Sequence, residues 1–157
     1  MTPTHRVWKP NTTVAAIVER AGRFLLVEEE TEAGLRFNQP AGHLDAGESL
    51  LAACARETLE ETAWHFRPTS LVGIYLWPRP QGDVSYLRFA FAGELGEEVV
   101  GRALDDGIVR AVWLTAEEIE ACRERHRSPL VLDCLQDYLA GRRYPLELIR
   151  HYGSPNG

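Results

Sequence analysis

The sequence predicts an α/β protein in which a mixed β-sheet is packed between layers of α-helix. Three observations lead there. Short runs rich in Val, Ile, Leu and aromatic residues recur along the chain, each bounded by Gly, Pro or acidic residues. Residues 49–62, in the middle of the series, carry the 3.6-residue period of an amphipathic helix. After the last apolar run come a capping-box pattern and a further helical stretch, so helices lie both within and beyond the strands.

Taken in order, residues 12–18 (TTVAAIV) and 23–27 (RFLLV) read as a pair of strands joined by a polar turn. Residues 28–32 (EEETE) read as a solvated acidic loop, with metal binding as the alternative role. A short extended piece, 35–37, ends where Asn38-Gln39-Pro40-Ala41-Gly42 breaks regular structure. On the helix that follows, Leu51, Ala55, Thr58, Leu59 and Thr62 gather on a packing side, with Glu57, Glu60 and Glu61 opposite. Cys54 lies at the border and reads as a small core residue. Residues 71–77 and 85–93 are strands joined by a Pro/Gly-containing loop, 101–107 is an acidic loop, and 108–114 is a strand. Thr115, with Glu118 three residues on, starts a helix, and 128–140 is a last helix closed by Gly141.

At 157 residues, 45% hydrophobic and 25% charged, the chain suits one domain spanning 1–157 with its core at about 10–150. A formal charge of −6 gives no electrostatic reason to bind a nucleic-acid polymer or an anionic membrane. Cys54, Cys122 and Cys134 are odd in number and widely spaced, which argues against disulfides or zinc and for a reducing cytoplasm. The N-terminal MTPTHRVWKPN lacks a signal-peptide core, and no apolar run approaches a membrane span.

Glu57, Glu60 and Glu61 crowd three like charges onto one stripe beside a glycine-containing loop. Such a stripe implies a bound cation, and hard oxygen ligands point to Mg²⁺ or Mn²⁺. The spacing from Gly42 through Glu48 to Arg56-Glu57-Thr58-Leu59-Glu60-Glu61-Thr62-Ala63-Trp64 resembles the Nudix box, G-x5-E-x7-R-E-U-x-E-E-x-G-U, with U a bulky aliphatic. All six polar or glycine positions through Glu61 are filled, a chance event of roughly one in 10⁷ per register. Thr58, Ala63 and Trp64 depart from the pattern; Ala63 stands where a glycine usually closes the helix in a left-handed conformation.

The resemblance implies the Nudix fold, a loop-helix-loop catalytic motif, and hydrolysis of a diphosphate linkage by water activated at a divalent metal. It implies metal contacts from Glu57, Glu60, Glu61 and the main-chain carbonyl of Ala41, with Glu48 and Arg56 pairing to brace the loop. For the general base it leaves Glu60 or Glu61, or one of Glu97, Glu98, Asp105 and Asp106; Asp106, seven residues before Trp113, best fits the acid that other family members place before a late tryptophan.

Substrate choice lies outside the box. Residues 37–50, 87–95 and 127–148 are similar to the bacterial NudJ-type phosphatase subgroup, which implies release of phosphate from nucleoside tri- and diphosphates or from the thiamine pyrimidine diphosphate. Pro78, fifteen residues beyond Ala63, resembles instead a marker of ADP-ribose pyrophosphatases, so an ADP-ribose or dinucleotide pyrophosphatase is the alternative. A non-catalytic nucleotide sensor is a third reading, and a diphosphate isomerase would need a nucleophilic cysteine that Cys54 is poorly placed to supply. Asn38 and Gln39 are candidate donors or simple turn formers; Arg88 is a phosphate contact or a structural ion-pair partner. Phe37, Tyr86 and Trp77 are stacking candidates or core residues. His43 reads as a loop residue, and Arg142, Arg143 and Tyr144 as a tail with a subgroup role or a solvated one. The expected partner is a small nucleotide or diphosphate, and the expected state is monomer or homodimer.

Overall fold

The computed structural model describes residues 6–153, so the start of the N-terminal segment discussed above lies outside the described residues. The elements are β1 Asn11–Ile17, β2 Glu19–Arg20, β3 Arg23–Thr31, β4 Gly34–Asn38, β5 Ala41–His43, α1 Leu50–Thr62, β6 Trp64–Pro78, β7 Ser85–Glu98, β8 Ile108–Thr115, α2 Ala116–Ala121 and α3 Leu130–Leu139, with 3₁₀ turns at Arg123–Arg125 and Leu146–Leu148. One sheet has the order β5-β1-β7-β6 and is mixed, because β1 and β7 run parallel while their outer neighbours are antiparallel. In the second, antiparallel sheet β3 pairs with β2, β4 and β8.

β1 explains the layering. Its Val14 and Ala16 pack with Ala53 and Cys54 of α1, whereas Ala15 and Ile17 pack with Ile119 of α2 and Val131, Cys134 and Leu135 of α3. A strand covered on both faces is apolar throughout rather than alternating, and residues 14–18 are all at most 3% exposed. Each large side chain so buried contributes about 1.5–3 kcal/mol. The predicted α/β class and mixed sheet therefore stand.

The pairing of the first two runs differs from expectation. β1 pairs with β5 and β7, not with β3; the chain leaves the first sheet after Ile17, and only Glu19 and Arg20 form a hairpin with β3. Ala21 and Gly22, at φ 51° and 76°, make the tight turn whose positive dihedrals suit the twist of a two-residue hairpin. The acids after Val27 are not a solvated loop either. β3 continues to Thr31, and Glu28, 5% exposed, is held by Arg110 Nε at 3.1 Å and Arg125 Nη2 at 2.6 Å. Polar composition concealed a strand whose cationic partners lie far along the chain.

α1 begins at its N-cap Ser49, whose Oγ accepts from Ala52 N–H at 3.0 Å. Its buried face is Ala53, Cys54, Thr58, Glu61 and Thr62, so the packing side is rotated from the predicted one and takes Glu61 with it. Thr58 is fully buried in an aliphatic position because its hydroxyl donates to Cys54 O at 2.7 Å. Ala63 does close the helix in the left-handed conformation, at φ 65°, and its carbonyl accepts from Val99 N–H at 2.7 Å. β6 begins at Trp64, earlier than the sequence suggests, and α3 begins at Leu130 rather than 128. The Thr115–Glu118 capping box forms as predicted. Beyond α3, Tyr144 pairs with Leu71 on the open edge of β6, and Arg143 stacks over the Tyr138 ring at 3.9 Å. No helix among the described residues is long and apolar enough to cross a membrane.

Candidate active site

The short strand β5 and the helix α1 build the centre of the site. At Gly42 a Cβ would collide with the carboxyl group of Glu57, so only glycine lets the helix acid lie against the strand backbone. Next to it, Ala41 N–H donates to Glu61 Oε1 at 2.9 Å. Arg56 braces the loop from the other side. Its Nε and Nη2 grip both oxygens of Glu48 at 2.7 and 3.0 Å, Nη2 also reaches His43 O at 3.0 Å, and Nη1 donates to Glu57 at 2.9 Å and Glu60 at 3.1 Å. A guanidinium fork against a carboxylate is the strong form of this contact, and it holds Glu48 below the usual carboxylate range.

Carboxylate oxygens of Glu57, Glu60 and Asp105 all lie within 4.8 Å of one another. The loop acid in this cluster is thus Asp105; Asp106, favoured by its spacing from Trp113, is exposed and outside it. Asp105 is fixed through its own N–H, which donates to Glu60 O at 3.0 Å. Glu97 and Glu98 are exposed at the end of β7. Burial pushes the Glu61 carboxyl up to about 8, against the Ala41 hydrogen bond and helped by the charges of Glu29, Glu57 and Asp105. Burial raises Glu57 as well, with Arg56 opposing and Glu60 and Asp105 adding to it. Three carboxylates at this spacing form an all-oxygen donor set of the kind that fits a hard divalent cation.

Glu57, together with Glu61, lines a cavity of about 1300 Å³ that also includes Trp77, Tyr86 and Arg88. Trp77 and Tyr86 are cross-strand partners whose rings stack at 6.2 Å and 18°. Arg88 and Asn38 line the cavity too. Gln39 does not: it is 3% exposed, accepts from Arg88 and donates to Val131 O at 2.8 Å. Phe37 is a core residue, 5% exposed, with the Arg125 guanidinium 4.6 Å over its ring. His43 is exposed on β5 beside Tyr86, at 6.4 Å between rings. Cys54 is 1% exposed and burial drives its thiol pKa upward, so it offers no nucleophile.

Two residues in the site were ranked too low by the sequence, Glu29 as part of a solvated loop and Asp105 behind Asp106. Glu29, paired with Arg127 at 2.8 Å, lines the cavity close enough to Glu61 to raise its pKa; continuing the apolar run 24–27 as a strand would have found it. Asp105 differs from its neighbour Asp106 by one position in a loop, and the sequence carries no signal that separates them.

A loop-helix-loop that gathers carboxylates beside a glycine, on a mixed sheet between helices, defines a Nudix hydrolase, and residues 9–134 match the family model for the NUDIX domain. The chain belongs to that family and is a hydrolase of phosphoric anhydride bonds. It is similar to the Escherichia coli K12 protein named Phosphatase NudJ, at 40% identity over 149 residues that cover 95% of this chain and 96% of that one. A solved NUDIX hydrolase from Nitrosomonas europaea is 49% identical with a TM-score of 0.89, covering 92% of this chain and 98% of its own. A MutT NUDIX hydrolase from Burkholderia pseudomallei, 16% identical at a TM-score of 0.71 over 83% of this chain and 98% of that one, shares the fold.

Proposed function

We propose that this chain is a Mg²⁺-dependent phosphatase, with Mn²⁺ as an acceptable substitute, acting on nucleoside tri- and diphosphates or on the thiamine pyrimidine diphosphate. The observation that carries the proposal is the meeting of Glu57, Glu60 and Asp105, of which Glu57 lines a cavity that also holds Trp77, Tyr86 and Arg88. The similarity to a protein named as a phosphatase supports release of inorganic phosphate over other cleavages.

Glu57, Glu60 and Asp105 would hold the ion, with Ala41 and Glu61 adjoining. When bound, such an ion polarises phosphoryl oxygens and lowers the pKa of a coordinated water. Arg56 and Glu48 hold the loop and helix in fixed relation, which limits the motion of the reacting groups. Glu61 uses one oxygen to accept the Ala41 N–H; a cation held beside it would offset the burial and the neighbouring carboxylates that raise its pKa, leaving the other oxygen ionised to take the proton from the attacking water. A water-oxygen to phosphorus bond forms as the bridging P–O bond breaks; the attacked phosphoryl group becomes inorganic phosphate, and the shortened substrate departs carrying the bridging oxygen.

The test is a substrate panel with Mg²⁺: nucleoside tri- and diphosphates, the thiamine pyrimidine diphosphate, ADP-ribose and dinucleoside polyphosphates, with phosphate and pyrophosphate assayed separately. Phosphate release from the first two groups, abolished by EDTA, is expected. Cleavage of ADP-ribose to two monophosphates would favour the pyrophosphatase reading, which the large cavity accommodates.

A further inference from the structure

Arg88 is a buried cation without a counter-charge. It is 5% exposed, and its Nη1 faces Gln39 Oε1 at 3.1 Å and Cys134 Sγ at 3.8 Å, while Nη2 donates to Asn38 Oδ1 at 3.1 Å. All three partners are neutral, and among the described residues no carboxylate makes an ion pair with it. Its Nε is buried with no hydrogen-bond partner. An arrangement this costly to folding is nevertheless carefully supported, since Gln39 is itself buried and tied to α3.

The free donors face one way in chemical terms. A guanidinium has five N–H groups; after those three contacts, Nε–H and one Nη2–H remain. Because a guanidinium only donates, Asn38 must turn its oxygen toward Arg88, which leaves its NH₂ to donate elsewhere. Nε–H is buried, so Arg88 offers the cavity its remaining Nη2–H and Asn38 its NH₂, donors alone.

The sheet register says which part of a substrate arrives there. Arg88 is opposite Thr13 on β1, and Thr13 is opposite His43 on β5, next to Gly42 and the carboxylates. Two strand spacings separate Arg88 from that end, roughly 10 Å. This exceeds a diphosphate link and suits the ring that a diphosphate carries. Tyr86, two residues before Arg88 on the same face of β7, stacks with Trp77 to give that ring an aromatic neighbour.

We propose that Arg88, oriented by Gln39 and assisted by Asn38, determines specificity by reading acceptor atoms on the edge of the substrate's ring. It favours an edge with adjacent acceptors, such as guanine O6 and N7, over adenine, whose amino group meets a donor. The inference rests on the nucleotide-hydrolase reading above and adds the ring chemistry to it.

The experiment compares kcat/KM for GTP and ATP with Mg²⁺ in the wild type, Arg88→Lys and Arg88→Met. The ratio is internal to each protein, so a uniform loss of folded enzyme cancels. The wild type is expected to favour GTP by roughly 10-fold or more, Arg88→Met to bring the ratio within about threefold, and Arg88→Lys to fall between, because Lys keeps the charge and loses the fork. Calorimetric titration with GMP and AMP, which contain no anhydride, reads ring recognition apart from turnover. A wild type that treats GTP and ATP alike, or a ratio unmoved in Arg88→Met, overturns the role of Arg88 and leaves the hydrolase reading intact. Absence of turnover on every nucleotide, with GMP still bound in preference to AMP in the wild type alone, overturns the hydrolase reading and upholds Arg88; equal or absent binding of both monophosphates counts against Arg88.

Discussion

Replacing Glu61 by glutamine separates the cost of burying a charge from its use. The carboxyl is 8% exposed, with a pKa of about 8 against an ordinary 4.5. Because the folded-state value lies above the unfolded one, the neutral acid is the favoured folded form. The penalty is small near pH 4.5, grows as pH rises, and is complete above pH 8. At 1.36 kcal/mol for each pKa unit, it reaches about 4 kcal/mol at pH 8 and is below about 1 kcal/mol at pH 5. Glutamine keeps an oxygen for the Ala41 N–H and has nothing to ionise. Metal-free Glu61→Gln is therefore expected to exceed the wild type in stability by a margin that widens from pH 5 to pH 8, while losing phosphatase activity. Urea unfolding in EDTA at both pH values measures the margin. Adding Mg²⁺ at pH 8 should stabilise the wild type more than the variant, since a cation offsets the crowded carboxylates. A margin that does not change with pH would refute the argument, because titrating groups away from Glu61 cancel in the difference.

Other substitutions probe the rest of the site. Asp105→Asn is expected to raise the Mg²⁺ concentration for half-maximal activity by roughly 10-fold or more, and Asp106→Asn to stay within about threefold of wild type; metal titrations of the two decide which acid belongs to the cluster. Gly42→Ala should leave the circular dichroism spectrum unchanged yet lower kcat about 100-fold, since its methyl displaces the Glu57 carboxyl. At Ala63, glycine relieves about 1 kcal/mol of left-handed strain but gives up a buried methyl worth about 0.8 kcal/mol. Denaturant melts of Ala63→Gly should thus shift by less than about 0.5 kcal/mol, whereas Ala63→Val should lose about 2 kcal/mol.

These balances show what a sequence does and does not disclose. The Thr115–Glu118 box is a local feature, decided by a few adjacent residues, and was readable in advance; the cap at Ser49 was taken for the first helical residue, and the left-handed joint at Ala63 was left open because an alanine stands where glycine is usual. The Glu48–Arg56 brace was readable as well, because a recurring spacing encodes it. Which strands pair was not: residues 12–18 and 23–27 have the same apolar character, and only the parallel partnership with β7, seventy-odd residues on, removes one of them to another sheet. Glu28 and Glu29 look like loop residues until Arg110, Arg125 and Arg127 come into contact with them. The aromatic candidates divided similarly, Phe37 going to the core and Trp77 and Tyr86 to the cavity, a choice made by facing direction rather than by residue type.

The loop that brings Asp105 to the helix acids is held by main-chain bonds alone at two points, Val99 N–H to Ala63 O and Asp105 N–H to Glu60 O. The end of α1 therefore acts as a jig: the helix that carries two of the carboxylates also sets the position of the third. Side chains at positions 102–104 take no part in those two bonds, whereas Gly101, at φ 83°, is fixed by its left-handed backbone. The ring-facing wall rests on different supports, β4, β7 and α3. A substitution in one wall therefore need not displace the other.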